Sequence, residues 1–359
     1  MKQLRVAVAG CGDIAAIHLD AILADPDVEL VGVCDVDAGR RDEAARRAGC
    51  PGFADLSGLL DAVAPDVMHV CTPHHQHADL AAQCLARDVS VLLEKPLAHS
   101  LAAGERLAIA AEDSRHRFGH DASARHSVKG SRPRPDQPVL GVCFQNRYND
   151  TARALRDLLD GGGLGRVLGG RASVHWFRDA DYYARRDWRG RWATAGGGVL
   201  MNQAIHTLDL LAWYLGPVTD VRGTAATLAL HGHIEVEDTA AMRLRHRTPE
   251  GEVTSVFHAT NGHVENAPVT VEIVTEHARA RLETDLTVTY DDGRVEVVHP
   301  ASIAAGERAY WGASHGLLIE DFYRHVRAGK RFWIDAPAAL ETLRIIDAVY
   351  DQSPGLNRG

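Results

Sequence analysis

Two residues, far apart in the sequence, have the side-chain types that proton transfer to or from an oxygen requires. Lys95 follows a buried apolar run and precedes Pro96, which biases the lysine toward an extended backbone at the end of its strand. His206 lies in the apolar segment GGGVLMNQAIHTLDLL. An imidazole with a pKa of about 6.5 can act as a general base, and an ammonium group can stabilise charge on a reacting oxygen. Lys95 and His206 are therefore candidate catalytic residues.

The segment that carries His206 predicts one amphipathic helix over about 199–215, with a polar stripe. Asn202, His206 and Asp209 fall at i, i+4 and i+7, which is one face of a helix. Because apolar residues surround it, this stripe is expected to face a pocket, although a core histidine satisfied by hydrogen bonds has the same pattern. Asn202 can orient an imidazole but cannot offset its positive charge. Either His206 is then a weaker base, or Asp209 supplies the negative charge.

A glycine-rich turn, GCGDIA, follows the first predicted strand at 4–9 and opens a helix. Gly10 permits a tight turn, and Gly12 lets a pyrophosphate approach the backbone. Asp13 and Ile14 lead into the helix, whose free N–H groups attract phosphate. A strand, this turn and a helix, with an acid at the end of the next strand, predict a dinucleotide site.

That acid, Asp35, indicates which dinucleotide is bound. It is placed to accept hydrogen bonds from the ribose hydroxyls, and its charge would repel a 2′-phosphate. NAD is therefore favoured over NADP. Arg40 and Arg41 could bind a phosphate, but a solvated helix start explains them more simply.

Two further loops are expected at the carboxyl edge of the same sheet, where ligands bind in such folds. One holds Thr72 and Pro73, with His77 downstream, and the other holds Glu94 beside Lys95. All five residues are predicted to lie at the cofactor. The run HHQH that ends at His77 also invites a zinc interpretation. No second group of ligands with matching spacing accompanies it, so no metal is predicted.

Strands and helices alternate through the first part of the chain, which is typical of a doubly wound parallel sheet. A helix at 100–113 precedes a polar, basic insertion at 114–138, interpreted as a solvated loop or, alternatively, as a flap over the cofactor or a subunit contact. The predicted fold is an α/β Rossmann domain at 1–145, followed by an α+β domain at 146–359. Alternating patterns predict a mostly antiparallel sheet in the second domain, with strands at 166–177, 218–230, 238–247, 252–260, 269–275 and 279–289.

Composition limits the partners of the chain. Its 359 residues suit about two domains, and a net charge of -9 argues against nucleic acid or an anionic membrane as a partner. No apolar run approaches the roughly 18 residues of a membrane span. The N-terminus lacks the layout of a signal peptide, so we expect a cytoplasmic protein. The six cysteines lack CxxC spacing and are interpreted as reduced, buried thiols.

Aromatic and charged residues are concentrated in the segment 175–194. Sugars have apolar faces and a ring of hydroxyls, so aromatic surfaces with charged hydrogen-bonding groups suit them. Core packing explains any single one of these residues equally well. The candidates for substrate contacts are Trp176, Tyr182, Tyr183, Trp188, Arg189 and Trp192.

Four separated motifs occur in the order that one known family has them: GCGDIA at 10–15, Thr72-Pro73 with His77, Glu94-Lys95-Pro96, and Gly196-Gly197-Gly198 followed by Asn202, His206 and Asp209. On these residues the chain resembles the glucose–fructose oxidoreductase / inositol dehydrogenase (Gfo/Idh/MocA) family over nearly its whole length, the 114–138 insertion excepted. The resemblance implies NAD or NADP, a large open antiparallel sheet often used for dimers or tetramers, and mostly sugar or cyclitol substrates. Many members have an aspartate where Asn202 stands.

The resemblance also implies that Arg147, Tyr148 and His315 line the substrate pocket, to which we add Asp209 from the polar stripe. The chain is thus predicted to be an NAD-dependent sugar or cyclitol dehydrogenase and a homodimer or homotetramer. One alternative is a glycosidase that oxidises a ring carbon transiently and returns the hydride. Another is a non-catalytic sensor that binds NAD or a sugar.

Overall fold

The chain folds into two compact units, each made of two stretches of sequence. The predicted boundary at 145 lies close to the first observed change of unit, but the prediction missed the return of the chain to the first unit. The first unit comprises 1–143 and 315–340, and the second comprises 144–314 and 341–359. The computed structural model describes residues 3–120, 137–301 and 314–358.

A six-stranded sheet with the order β3-β2-β1-β4-β5-β6 forms the centre of the first unit. Every neighbouring pair in it is parallel, which confirms the predicted Rossmann domain. All residues of β4 and β5 are buried, as expected for strands covered on both faces. The strands are β1 (Leu4–Ala9), β2 (Val28–Cys34), β3 (Gly52–Phe53), β4 (Val67–Val70), β5 (Ser90–Leu93) and β6 (Leu140–Val142).

Five helices connect these strands, and one of them is longer than the sequence predicts. They are α1 (Ala15–Ala24), α2 (Ala38–Ala48), α3 (Leu56–Val63), α4 (His77–Ala86) and α5 (Leu101–His120). The predicted loop was expected to begin at Ser114, but α5 continues past Ser114 to His120. The buried Ser114 hydroxyl donates to the carbonyl of Ala111 at 2.7 Å, which satisfies this polar group inside the helix. Residues 121–136 of the predicted insertion lie outside the described residues.

The return of the chain places a helix against β6 in the first unit. Helix α11 (Ser314–Arg327) carries Phe322, and a Cβ added at Gly141 in β6 would lie 2.7 Å from Phe322 and from Phe332. Val142 donates its N–H to the carbonyl of Ile334 at 2.9 Å. The sequence analysis placed the segment after residue 314 in the second domain. This close packing explains why it belongs instead with the dinucleotide-binding sheet.

The second unit contains an eight-stranded sheet with the order β14-β13-β12-β11-β7-β10-β9-β8. Its pairs are antiparallel except β7 with β10, which confirms a mostly antiparallel sheet. The single strand predicted at 279–289 is a hairpin of two strands, and β14 was not predicted. The strands are β7 (Val167–His175), β8 (Val218–Ala226), β9 (Thr239–Thr248), β10 (Gly251–Thr260), β11 (Thr270–Thr275), β12 (Ala278–Leu282), β13 (Leu286–Tyr290) and β14 (Val295–Val298).

The helix predicted over 199–215 is broken in two. Gln203 and Ala204 both donate their N–H to the carbonyl of Val199, at 3.1 and 2.8 Å, so one extra residue enters the turn. Asn202 and His206 consequently lie on separate helices and not at the i, i+4 spacing of one. The helices of this unit are α6 (Asp150–Asp160), α7 (Ala180–Ala184), α8 (Trp192–Ala195), α9 (Val199–Asn202) and α10 (Ile205–Leu215).

The last helix, α12 (Ala336–Asp351), supplies side chains to an edge of the second sheet. The backbone N–H of Val218 in β8 donates to Glu341 at 2.8 Å, and that of Ala225 donates to the Ser353 hydroxyl just beyond the helix at 2.8 Å. Side chains thus occupy hydrogen-bonding groups of this edge strand. None of the described helices combines the length and the apolar character needed to cross a membrane.

Candidate active site

The glycine turn after β1 has the geometry that a pyrophosphate needs. Gly10 has φ +89°, and a Cβ there would lie 2.7 Å from the carbonyl carbon of Cys71, so only glycine fits. A Cβ at Gly12 would meet nothing within 4 Å, which leaves open space in front of the turn. Ile14, the residue before α1, makes no side-chain cap, so backbone N–H groups rather than a side chain are presented at this helix start. These features fit a bound dinucleotide.

Asp35 at the end of β2 is held by the backbone on both carboxylate oxygens. It accepts the N–H of Cys11 at 2.7 Å and the N–H of Asp37 at 2.8 Å, while remaining half-buried. Each oxygen keeps a further lone pair, so the fixed carboxylate can also accept ribose hydroxyls. Arg40 lies in the first turn of α2 with its guanidinium 3.7 Å from Asp37, which fits a solvated helix start.

His77 connects the two loops at the carboxyl edge of the sheet. Its Nε2 lies 2.8 Å from the carbonyl oxygen of Thr72, and its Nδ1 lies 2.7 Å from that of Pro96. Burial lowers the pKa of His77, against the opposing effect of these two carbonyl groups. Both ring nitrogens of His77 thus face backbone carbonyl oxygens of these two loops, and its predicted contact with the cofactor stays a prediction.

Glu94 is buried, and imidazoles surround its carboxylate. Its Oε1 lies 3.0 Å from His18 Nε2 and 3.5 Å from His315 Nε2. Although burial alone would raise it, these two imidazoles hold the pKa of Glu94 well below its ordinary value. The carboxylate thus contacts two imidazoles of the first unit, and the predicted cofactor contact of Glu94 stays a prediction. Among the described residues, these three side chains also form a group whose ligand atoms lie within 4.8 Å of one another.

His315 is correspondingly not a residue of the second unit. It lies in the first turn of α11, 2 % exposed, and faces Glu94. Its predicted role in lining a substrate pocket stays a prediction. Lys95 itself is half-buried, and its backbone N–H donates to the Glu94 carboxylate at 3.2 Å.

In the second unit, His206 is half-buried on α10 and has an amide neighbour that the sequence did not reveal. The Nε2 of Gln145 lies 3.5 Å from the Nε2 of His206, and the Phe144 ring meets the imidazole edge-on at 5.8 Å. An amide N–H that faces this ring nitrogen favours the tautomer in which the nitrogen is unprotonated. The surroundings of His206 thus suit a general base.

Arg147 and Asp209, both predicted to line the substrate pocket, form a buried bidentate ion pair. Arg147 Nε and Nη2 donate to the two Asp209 oxygens at 2.8 and 2.6 Å. Burial raises the pKa of Asp209, and the Arg147 charge opposes this. Asp209 thus shares its charge with Arg147, and its predicted role beside His206 stays a prediction. Tyr148 is 1 % exposed with Arg153 over its ring at 4.4 Å, so it also belongs to the core.

Tyr182 is the centre of the polar groups beside α9. The amides of Asn202 and Gln203 donate to its hydroxyl at 3.2 and 3.1 Å. The guanidinium groups of Arg178 and Arg189 lie 5.1 and 4.3 Å from its ring centre. This Tyr182 cluster, the five residues just named, presents hydroxyl, amide and cationic groups together. Arg178 and Arg189 also stack on two further predicted residues, Trp176 at 4.9 Å and Trp188 at 5.7 Å.

Two other aromatic candidates have contacts within the second unit, where Tyr183 is buried and Trp192 is half-buried. Tyr183 is 6 % exposed, and its hydroxyl accepts the Asn261 amide N–H at 2.8 Å. Burial raises the pKa of Tyr183 well above its ordinary range. Trp192 meets Tyr350 edge-on at 5.1 Å. The structure thus separates the segment 175–194 into a cluster around Tyr182 and residues that pack inward.

A buried carboxylate that the sequence did not identify fixes the glycine run before α9. Glu237 accepts the N–H groups of Gly198 and Leu200 at 2.8 and 2.9 Å. A Cβ added at Gly198 would lie 1.7 Å from the Glu237 carbonyl oxygen, so a larger residue cannot fit. Burial raises the pKa of Glu237 to about 7, despite these N–H groups.

The cysteines are free thiols, as predicted, and their surroundings are not activating. Burial raises the pKa of Cys11, Cys34 and Cys84 to about 12. A thiolate is the nucleophilic form, so these three residues are unsuited to nucleophilic catalysis near neutral pH.

Comparison with known proteins supplies the family. Residues 4–121 match the model described as an oxidoreductase family with an NAD-binding Rossmann fold (GFO_IDH_MocA), and residues 152–281 match the GFO/IDH/MocA C-terminal domain. The chain belongs to the GFO/IDH/MocA family. It is an NAD-dependent oxidoreductase, which confirms the predicted fold, cofactor and enzyme class.

Named relatives in this family include an inositol dehydrogenase and an apiose dehydrogenase. Inositol 2-dehydrogenase 2 of Paenarthrobacter aurescens is 28% identical over 309 residues, which are 83% of this chain and 81% of the relative. D-apiose dehydrogenase of Paraburkholderia graminis is 26% identical over 98% of this chain and 88% of the relative. The WlbA dehydrogenase of Bordetella pertussis, solved with NADH and UDP-GlcNAcA, is 28% identical, covers 98% of this chain and 96% of that one, and has a TM-score of 0.79.

Proposed function

We propose that this GFO/IDH/MocA oxidoreductase oxidises a secondary hydroxyl of a sugar or cyclitol with NAD. The observation that carries the proposal is the Tyr182 cluster, because it groups donors and acceptors suited to several hydroxyls of one small polyol. The half-buried Trp176 and Trp188 add apolar surface of the kind that a sugar face needs. Relatives named for inositol and apiose, and a solved relative with a nucleotide sugar, support this substrate class.

Lys95 and His206 are proposed as the catalytic residues for the reacting hydroxyl. When bound, NAD accepts the hydride from the carbon. His206 takes the hydroxyl proton, and the Gln145 amide holds the imidazole in the required tautomer. Lys95 hydrogen-bonds the same oxygen and stabilises the charge that develops on it. Asn202, predicted as catalytic, is proposed to orient Tyr182 and so to help bind the substrate.

Cofactor binding is proposed at the glycine turn and the acid that follows it. Gly10, Gly12 and the start of α1 would hold the pyrophosphate, and Asp35 would accept the ribose hydroxyls. Asp13 and Ile14 border this turn. The arrangement favours NAD over NADP because Asp35 is a fixed negative charge.

A substrate panel tests the proposal. It contains myo-inositol, D-apiose, glucose 6-phosphate and a UDP-linked uronic acid, each with NAD or NADP and followed by NADH or NADPH absorbance. We expect stoichiometric NADH from at least one member. Glycoside cleavage without net NADH, or NADH binding with no turnover of any member, would contradict the proposal.

The Lys95→Ala variant tests the catalytic assignment separately. We expect turnover to be lost while NADH still binds, because the ammonium acts on the substrate oxygen. Lys330→Ala, at an exposed position, is the control and should retain activity. Full activity of Lys95→Ala would contradict the assigned role.

We further propose that copies of the chain associate through the sheet of the second unit. Large apolar side chains are exposed on its strands: Leu168 at 50%, Val256 at 51% and Val274 at 37% exposure. Exposed apolar groups on one sheet support a protein contact. Light scattering after gel filtration should give a dimer or tetramer mass, and a monomer at micromolar concentration would contradict this.

A further inference from the structure

A buried line of polar side chains runs through the first unit and ends beside Lys95. The Tyr323 hydroxyl of α11 lies 2.9 Å from His69 Nε2 in β4, and His69 Nδ1 lies 2.8 Å from His18 Nδ1 in α1. His18 Nε2 in turn lies 3.0 Å from Glu94 Oε1. These four residues are at most 5 % exposed. Buried polar groups joined in this way fix one another's positions.

The ionised carboxylate determines the direction of the hydrogen bonds. Because a carboxylate only accepts, His18 must donate its Nε2–H to Glu94. A neutral His18 then accepts from the Nδ1–H of His69, whose Nε2 accepts the Tyr323 hydroxyl. Burial keeps the pKa of His69 well below its ordinary value, which agrees with a neutral ring. Every ring nitrogen of the line thus has a partner, with all donors directed toward Glu94.

Both neighbours of Lys95 are held by histidines. Glu94 is fixed by His18, with His315 on the same oxygen, and its second oxygen accepts the Lys95 N–H at 3.2 Å. On the other side, the Pro96 carbonyl lies 2.7 Å from His77 Nδ1. Glu94 and Pro96 are buried, whereas Lys95 is half-buried. The backbone that carries the lysine is therefore constrained from both sides.

Lysine is rare in this chain. Of 39 lysines and arginines, four are lysines: Lys2, Lys95, Lys129 and Lys330. Lysine chemistry can therefore be followed at Lys95 with little interference, and the exposed Lys330 provides an internal reference.

We propose that Glu94 is a positioning residue for Lys95 and not a cofactor contact. The imidazoles of His18 and His315 fix its carboxylate, and the carboxylate fixes the backbone N–H and the electrostatic surroundings of the lysine. This inference rests on the proposed function in one respect, namely that Lys95 acts on the substrate oxygen.

The Glu94→Gln variant, with a matched control, tests the proposal by kinetics. The control is Asp66→Asn, another buried carboxylate, which accepts the N–H of Arg5 at 3.0 Å just before β4, at the opposite end of the strands. With NAD and the panel member that the wild type oxidises fastest, we expect kcat of Glu94→Gln to fall about 30-fold, since small displacements of a catalytic group are costly. The KM and the NADH Kd should change less than about threefold, and the control should retain kcat within about twofold.

Three kinetic or analytical outcomes overturn the proposal. In the first, Glu94→Gln weakens NADH binding about tenfold with kcat unchanged, which identifies a direct cofactor contact. In the second, Glu94→Gln and Asp66→Asn are alike in kcat. In the third, metal analysis finds a stoichiometric ion in the wild type that Glu94→Gln loses, which assigns the carboxylate to a metal with His18 and His315.

Chemical labelling tests the same proposal without any substrate. A limiting amount of acetic anhydride at pH 8, followed by peptide mass spectrometry, gives the acetylation of Lys95 relative to Lys330. The Glu94 carboxylate accepts the backbone N–H of Lys95, so its removal frees the segment that carries the lysine and makes the amine more accessible to the reagent. We expect the ratio to rise more than about threefold in Glu94→Gln and to stay constant in Asp66→Asn.

The other titratable groups around Glu94 are not substituted in this variant, so a change in the labelling ratio follows from the loss of the carboxylate. They come from the helices and strands packed against it: His18, His69, Cys71, His77, Cys143 and His315. An unchanged ratio in Glu94→Gln overturns the proposal even if the wild type oxidises nothing in the panel, in which case the proposed function alone has failed. If Glu94→Gln does not fold, His18→Gln, which keeps an amide donor toward Glu94, replaces it, with an expected ratio above that of the wild type.

Discussion

The two units each bury a glutamate that binds backbone N–H groups beside a proposed functional segment, but the two carboxyl groups differ in charge. Glu94 is surrounded by His18 and His315, which hold its pKa well below the ordinary value in spite of burial. Glu237 has the N–H groups of Gly198 and Leu200 and no imidazole in hydrogen-bond contact among the described residues. Burial raises its pKa to about 7.

The difference shows what keeps a buried carboxylate ionised. Neutral N–H donors compensate part of the lost hydration, but in the second unit they do not offset burial. In the first unit two imidazoles face the carboxylate, and their hydrogen bonds do offset burial. Glu94 therefore provides a fixed charge next to Lys95, whereas Glu237 provides a hydrogen-bonding cap whose charge depends on pH.

The largest expected effect comes from disrupting the contact between Glu237 and the glycine run before α9. Gly198→Ala places a Cβ against the Glu237 carbonyl oxygen, 1.7 Å away without rearrangement, so the cap must separate from α9. We expect a loss of about 4 kcal/mol in the free energy of unfolding. Urea denaturation measures it, and Gly163→Ala is the control because a Cβ there meets nothing within 4 Å. Equal stability of the two variants would contradict the close packing.

The next largest effect is expected from removing an imidazole beside Glu94, so that burial raises the pKa of Glu94 as it raises that of Glu237. His18→Ala removes a donor and a compensating group, so we expect a loss of about 3 kcal/mol at pH 8. The pKa of Glu94 should then rise above its unfolded value, so that the loss shrinks toward pH 5, where the folded variant keeps a proton on the carboxyl that the unfolded chain largely releases. Urea denaturation at both pH values checks this. The double variant with Glu94→Gln should lose this pH dependence, and a dependence that persists would locate it elsewhere.

Replacing Glu237 by a residue that does not titrate tests how its raised pKa affects the pH dependence of stability. Its folded pKa of about 7 exceeds the ordinary 4.5. Between these values the unfolded chain releases a proton that the folded chain keeps, so stability falls as pH rises through this window and stays low above it. A shift of this size corresponds to about 3 kcal/mol. Glu237→Gln should reduce the fall in unfolding free energy between pH 5 and 8, and identical slopes in both proteins would disprove the assignment.

The smallest effect extends the comparison to a carboxylate that is only half-buried. Asp35 accepts the N–H groups of Cys11 and Asp37. Asp35→Ala removes the negative charge that would face a 2′-phosphate, so we expect the NAD/NADP ratio of kcat/KM to fall on the order of tenfold. Asp37→Asn, which keeps an N-cap for α2, is the control. An unchanged ratio in Asp35→Ala would mean that other residues recognise the ribose.

The cofactor half was predictable because its signals are local. The turn of Gly10 and Gly12 directly follows a buried strand, and Asp35 directly follows the next one, so neighbouring residues carry the whole pattern. Strand periodicity likewise indicated both sheets. The hairpin within 279–289 was missed, since one alternating pattern continues through its turn.

The rest depends on contacts between residues distant in sequence. Asp209 is paired with Arg147 at a separation of 62 residues, and His315 faces Glu94 only because α11 packs on β6. The irregular turn at Gln203 coincides with hydrogen bonds to that side chain from Asn261 and to Tyr182. A helical-wheel argument cannot include such partners. The sequence analysis therefore predicted the polar stripe on one continuous helix, whereas the structure has two.

The cover over β8 has a consequence for assembly. A strand whose amide groups are already bonded to Glu341 and Ser353 offers no template for a second chain to extend the sheet at that side. Growth of the sheet into a fibril-like ladder from β8 would first require the C-terminal residues to peel away. Truncation of the chain after about residue 340 should thus expose the backbone N–H groups of β8, so that this edge strand can pair with a strand of another chain.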